Sequence, residues 1–353
     1  MTIDSYGGNP DIVATRDEIH RVAFEIKLAA DQLAAFGPLD SLISDPLRQL
    51  QYRMRAAQVI SKLERMHGSC LLASEQYFST EAQIHRRFEI HFIPQLAAVT
   101  TSVATTLGWK LDHRVSATKM RTFSSQPPSS ITQLLDRLWQ VSSKGEPTVG
   151  IDFFQSGTDQ RTAFVYIPGT QTLGLGDEPN PFDLQSNILA MQGAGVAASE
   201  RAVLEAMNEA GVKESDEVIF VGHSQGGMVA GNLALHPSGY IAAGLVTIGA
   251  PIAQLKLTKL PVMAIEHVND PIPNVSGKVN PLTKNWVTIQ RNSLSSESDA
   301  PLHSHSLKSY RNTTVKVDES KGKGITNIKE QLLSQVRGAP MGKAMDFVIA
   351  REF

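Results

Sequence analysis

The sequence has one cysteine, Cys70, among 353 residues. That scarcity excludes an intramolecular disulfide framework and any metal site built from several cysteines. Neither sign of charge dominates, with 33 Lys and Arg against 35 Asp and Glu for a formal charge of −2. Without a basic block there is no electrostatic footprint for nucleic acid. Charged residues make up 19% and hydrophobic ones 41%. The first figure lies below the ~25% of an average soluble chain, so this composition buries a sizeable core and excludes global disorder. Residues 1–13 lack both a basic region and an apolar run, so no cleavable secretory signal is expected. A cytoplasmic location follows, with export by a signal-peptide-independent route as the alternative. The stretch Phe92 to Trp109 carries no charge and is nearly long enough to span a bilayer. That stretch carries Pro94, Gln95, Thr100, Thr101, Ser102, Thr105 and Thr106, a poor composition for lipid, so a buried helix is expected there and no stable membrane span.

A length of 353 residues suits one large domain or two ordinary ones at about 150 residues each. The texture changes near residue 125. Before it, apolar residues recur at helical spacing, with Ile19, Val22, Ala23, Ile26, Ala29, Ala30 and Leu33 forming one stripe that ends at Gly37-Pro38. Similar patterns run from Pro46 through the sixties, over Ser74 to Phe88, and over Pro94 to Leu107. Residues 1–125 are therefore expected to be an all-helical module. Residues 126–147 form a linker and a short helix, Ile131 to Val141. From 148 to 320, apolar strands alternate with helices. The strands are Thr148 to Phe154, Thr162 to Ile167, Glu217 to Val221, Gly244 to Ile248, Val262 to Val268 and Trp286 to Gln290. Helical patterns fill Leu184 to Ala210 and Gln225 to Leu235. Such alternation predicts an α/β fold with a mostly parallel sheet. Residues 321–353 read as a helical tail with one amphipathic helix, about Ile325 to Val336.

The sharpest chemical signal is Val218-Ile219-Phe220-Val221-Gly222-His223-Ser224-Gln225-Gly226-Gly227. An apolar strand runs straight into Gly-X-Ser-X-Gly and a helical pattern follows, the context of a nucleophile elbow. A serine hydroxyl is a weak nucleophile and needs a base. In this arrangement the acid and then the histidine follow the serine along the chain. Strand Val262 to Val268 ends in Asn269-Asp270-Pro271, and acids beyond strand C-termini are where open α/β sheets gather their functional groups. Asp270 is the candidate acid, with Glu266, inside the strand, as the weaker alternative. Only His303 and His305 lie beyond Asp270. His305 is preferred as base because a helix beginning at Ser306 would anchor it, and His303 is the alternative. His223 reads as structural, and His267 as a strand residue.

An oxyanion hole needs two backbone N–H groups aimed at developing charge. Gln225 follows the nucleophile and supplies one candidate. The second is Thr170, in the loop Pro168-Gly169-Thr170-Gln171 directly after an apolar strand.

These segments resemble the α/β-hydrolases, specifically lid-poor lipases and esterases of the actinobacterial type. The resemblance covers about Thr148 to Thr314 and rests on IPGTQ, GHSQGG, TIGAP followed by NDPIP, and HSLKSY. It implies an α/β-hydrolase fold and cleavage of small-molecule or lipid carboxylic esters through a Ser-His-Asp triad and an acyl-enzyme. No cofactor or metal is implied. Only a short connection separates strand Leu245-Ile248 from strand Val262-Val268, where many members insert a cap. The N-terminal region faintly resembles helical modules exported by type VII secretion, through Gly7-Gly8-Asn9-Pro10-Asp11 and Tyr77-Phe78-Ser79-Thr80-Glu81. Their Trp-X-Gly turn is absent, since Lys110 and Leu111 follow Trp109. Two other readings remain open: an acyltransferase on the same triad, and an exported interaction protein whose helical module binds a secretion partner.

Overall fold

The apolar runs between residues 148 and 291 pair side by side in a single sheet. The computed structural model describes residues 3–7, 26–28, 30–31, 34, 53–65, 67–68, 113–157, 161–172, 178–190, 197–276, 278–293 and 303–353. The chain divides into two units, Met1–Ile12 with His91–Phe353, and Val13–Ile90. In Val13–Ile90 the described residues are helical, the longest stretch being 53–65. The patterns expected over Ser74 to Phe88 and over Phe92 to Trp109 lie outside the described residues.

The other unit is α/β. Its strands are β1 (Asp4–Gly7), β2 (Arg114–Ser125), β3 (Thr148–Gln155), β4 (Arg161–Ile167), β5 (Glu217–His223), β6 (Ile241–Ile248), β7 (Val262–His267), β8 (Trp286–Arg291) and β9 (Gly342–Glu352). They form one nine-stranded sheet in the order β1-β8-β7-β6-β5-β4-β3-β9-β2. Neighbours from β4 to β8 are parallel, whereas β3, β9, β2 and β1 pair antiparallel. The helices are α1 (Ile131–Ser142), α2 (Leu184–Ala190), α3 (Ala198–Ala210), α4 (Gln225–Leu235), α5 (Leu307–Glu319) and α6 (Lys323–Leu333).

β5 shows why the strands form. Its residues Val218 to Val221 are fully buried, as a strand covered on both faces must be. Val218 and Phe220 join one core cluster with α3 and α4, while Ile219 and Val221 join a second with α1, α5 and α6. Successive side chains point to opposite faces, so one apolar strand serves two cores.

Two expectations need correction. The N-terminal stretch expected to be all-helical contains two strands, β1 and β2. The expected helical tail ends in β9, which lies inside the sheet between β3 and β2. β2 reads Arg-Val-Ser-Ala-Thr-Lys-Met-Arg-Thr-Phe-Ser-Ser and is half exposed, so burial leaves no apolar run. β9 is buried over Ala344 to Phe347, but Asp346 interrupts its apolar pattern.

Asp346 is tolerated there because arginines meet it. Arg137 of α1 donates through Nη2 to Asp346 (2.7 Å) and to Asp152 of β3 (2.9 Å), and Arg121 of β2 pairs with Asp346 as well. The Arg137 guanidinium also lies 4.9 Å from the Phe123 ring centroid. Burial pushes the Asp152 carboxyl up from its ordinary value, and the Arg137 hydrogen bonds and charge oppose that rise. Removing one partner of a buried ion pair strands the other. Arg137→Met should therefore lower unfolding free energy by about 3–5 kcal/mol, read from the urea midpoint. Adding Asp152→Asn should restore part of the loss, and a midpoint unmoved by Arg137→Met would contradict this account.

Candidate active site

The site begins where β5 ends. Ser224 has φ +52° and ψ −122°, and is the one non-glycine with positive φ among the described residues. Such a conformation costs of order 1–3 kcal/mol and persists only where the surroundings over-determine it. Here they do. The Ser224 amide donates to Ile248 of β6 (3.0 Å), and its carbonyl accepts from Gly227 and Met228 in the first turn of α4. A Cβ at Gly226 would lie 2.2 Å from the carbonyl oxygens of Ile167 and Pro168, so only glycine lets this turn close against the end of β4.

The end of β4 delivers the second segment. A Cβ at Gly169 would stand 3.0 Å from both the Ser224 Cβ and His223 Nδ1, so this loop lies against the elbow. Gln171 and Thr172 both donate their amides to the Phe182 carbonyl, at 2.8 and 3.3 Å. The amides of Thr170 and Gln225 make no such bond among the described residues. Both expected oxyanion donors therefore keep a free N–H, and Gln225 opens α4, where the helix dipole is positive.

The third segment follows β7. Asp270 is fully buried. Its Oδ1 accepts the Ile272 amide (3.0 Å), and its Oδ2 meets His305 Nδ1 (2.7 Å) and the Tyr310 hydroxyl (2.7 Å). Burial alone would push this carboxyl up, but its donors and the His305 ring hold it below its ordinary value. An ionised carboxylate only accepts, so Nδ1 of His305 is the donor in this bond. Tyr310, donating to Asp270, accepts the His267 amide at 3.0 Å.

His305 closes a short 3-10 turn, His303–His305, whose backbone is fixed on two sides. His223 Nε2 donates to the His305 carbonyl (2.9 Å), and the two rings lie 4.7 Å apart. Burial lowers the His223 pKa to about 3, so this ring is a neutral donor. Behind it, His267 Nδ1 donates to the Ser304 carbonyl (2.6 Å) and its Nε2 accepts from Thr313 (2.7 Å). The His267 ring also stacks on Tyr310 at 3.8 Å. The His303 ring has no hydrogen bond among the described residues, and only its carbonyl is engaged, by Ser306.

Of the expected residues, Asp270 holds His305, His305 leans on His223, and the Gly169-Thr170 loop abuts Ser224, whereas no hydrogen bond joins the Ser224 hydroxyl to His305 among the described residues. A cleft of about 330 Å³ beside it is lined by Trp139, Ser142, Thr170, His223, Leu307 and Lys308, among others. Glu266, the alternative acid, does not reach His305. It accepts from Asn280 (2.5 Å), and burial raises its pKa to about 7. Tyr310, Ser304 and Thr313 were not among the expected functional residues, since no spacing rule links a helix face to a strand end 40 residues earlier. Among the described residues, no group of three or more His, Cys, Asp or Glu is arranged to hold a metal ion. Likewise, no helix there is long and apolar enough to cross a membrane. Comparison of the chain with protein families, with curated proteins and with solved structures finds no match in any of the three.

The two carboxyls, shifted in opposite directions, yield a test. If the site works as the expected Ser-His-Asp triad, Asp270→Asn should cost roughly 10⁴-fold in turnover, the scale known where the acid orients a catalytic imidazole, whereas Glu266→Gln should leave turnover near wild type. Folded Glu266 binds its proton more tightly than its ordinary value of 4.5 implies. The native state then holds the extra proton between 4.5 and about 7, and stability falls as pH rises through that window. Glu266→Gln removes this loss, so its gain in melting temperature should be larger at pH ~8 than at pH ~5. Equal shifts at both pH values would refute the burial argument.

Proposed function

We propose that this chain is a serine hydrolase of the α/β-hydrolase type, cleaving carboxylic esters through an acyl-enzyme. The observation that carries the proposal is the left-handed backbone at Ser224, in a strand-turn-helix setting, with the Asp270–His305 pair against the preceding residue, His223. A strained non-glycine conformation at a site of converging polar groups points to function.

Ser224 Oγ attacks the ester carbonyl while Nε2 of His305 takes its proton. Asp270 holds the tautomer that leaves Nε2 free and stabilises the imidazolium formed. The amides of Thr170 and Gln225 receive the charge of the tetrahedral oxyanion, where preorganised donors act most strongly. Collapse expels the alcohol, protonated by His305, and leaves the acyl group on Ser224. Water, activated by the same histidine, then releases the acid. The cleft of about 330 Å³ suits a small-molecule or lipid ester in part, since ligand pockets run from ~300 Å³ upward. Every step uses side chains and amides of this chain, and the mechanism calls on no cofactor.

A fluorophosphonate probe should label wild-type protein at Ser224, and Ser224→Ala should reduce hydrolysis of chromogenic esters to background with the fold intact. Retained turnover in Ser224→Ala would overturn the proposal. His305→Ala should lose the 10²–10⁴-fold typical of general-base catalysis or more, and His303→Ala should stay near wild type. An exchange of those two behaviours would move the base to His303.

A further inference from the structure

Arg351 lies in β9, remote in sequence from every residue of the candidate site, and its side chain is 1% exposed. Nη1 donates to Asp183 Oδ2 (2.8 Å) and the Glu178 carbonyl (3.0 Å), and Nη2 to Ser186 Oγ (3.1 Å). The Arg351 amide adds a bond to the Pro179 carbonyl at 2.6 Å. All four acceptors belong to the segment 178–186, which has little regular structure before α2.

That segment is where the neighbours of both oxyanion donors are tied. The Phe182 carbonyl takes the Gln171 and Thr172 amides. The Asp183 carbonyl accepts from Gln225 Nε2 (3.3 Å), and Asn187 Nδ2 donates to Thr170 Oγ1 (2.8 Å). Thr170 and Gln225 come from different strand ends, and this segment together with Asn187 bridges them. A buried ion pair adds little net stability over an apolar substitute, but a planar guanidinium with several donors fixes direction.

We propose that Arg351, through Asp183, is a positioning residue that sets the spacing of the Thr170 and Gln225 amides for the oxyanion, an inference that rests on the hydrolase function proposed above. The frame is the sheet itself, because β9 is paired on both sides by β3 and β2. Arg351 does not touch substrate. It removes a degree of freedom from the segment to which the Thr170 loop and Gln225 are tied.

The test uses the full-length chain as wild type, Arg351→Lys and Asp183→Asn. Active sites are counted by fluorophosphonate titration, kcat and KM are measured on a p-nitrophenyl ester, and Ki is measured for an alkyl boronic acid, which forms a tetrahedral adduct on serine. Misplaced donors should lower kcat per titrated site by ~10- to 100-fold. KM should change little, and Ki should rise in step with the fall in kcat. Loss of titratable sites and melting temperature, with kcat per site and Ki unchanged, would make the clamp purely structural and overturn the inference. Should Arg351→Lys fail to fold, Asp183→Asn keeps the side-chain oxygen that caps Ser186 and carries the same readouts. Wild-type protein that does not titrate at Ser224 would overturn the hydrolase proposal and this inference together. Normal wild type beside unaltered variants would overturn this inference alone.

Discussion

Ser224 can hold its left-handed backbone only because the turn around it has nowhere else to go. The strand before it is buried on both faces, the helix after it is buried along nearly its whole length, and β4 closes over Gly226. A cost of order 1–3 kcal/mol at one residue is small against the apolar area those elements bury, so the strain is carried without loss of the fold. Placement of the serine, itself only 9% exposed, at the carboxyl edge of the sheet is the consequence. The other parallel strands end at the same edge, which is why the loops after β4 and β7 converge on it.

Convergence at a buried edge creates a second constraint, because each polar group brought there must find a partner. The two buried histidines meet it by staying neutral, with pKa values lowered to about 3 for His223 and about 4 for His267. A neutral imidazole donates at one nitrogen and accepts at the other. His267 thereby passes a chain of hydrogen bonds from Arg291 through Thr313 to the Ser304 carbonyl. In the unfolded chain both histidines take up protons near their ordinary 6.5, so acid draws the equilibrium toward unfolding below that pH. Glu266 acts with the opposite sign, as pH rises from 4.5 to about 7. The same burial that orders the base turn therefore bounds the pH range in which it is ordered.

Strands buried on both faces were legible in the sequence. β4 was expected over Thr162 to Ile167 and runs Arg161–Ile167; β8 was expected over Trp286 to Gln290 and runs Trp286–Arg291. Continuous apolar runs need no periodicity to be recognised. β2 and β9 were missed because their charges are neutralised by partners far along the chain, as Asp346 is by Arg137 and Arg121. The same reason governs the site. Ser224, Asp270 and His305 could be picked by chain order at strand ends, and Thr170 by a loop after an apolar strand. Tyr310, Thr313 and Asp183 could not, since their roles exist only as hydrogen bonds to residues that folding brings near.

The position of β9 links these observations. It pairs with β3 and β2, whose residues precede it by roughly 200 positions, so this side of the sheet is built from contacts of long sequence separation. Such contacts are slow to form because loop closure must precede their reward. β4 to β8 can pair among sequence neighbours, and the elbow lies within them. The segment 178–186, by contrast, has its firmest anchor in Arg351 of β9. The elbow and the Asp270–His305 pair thus depend on the local parallel strands, whereas the bridge between the two oxyanion amides depends on the strand that closes the sheet last in sequence. On the proposed hydrolase function, geometry at the nucleophile and geometry at the oxyanion are separable properties of this fold, held by different parts of the chain.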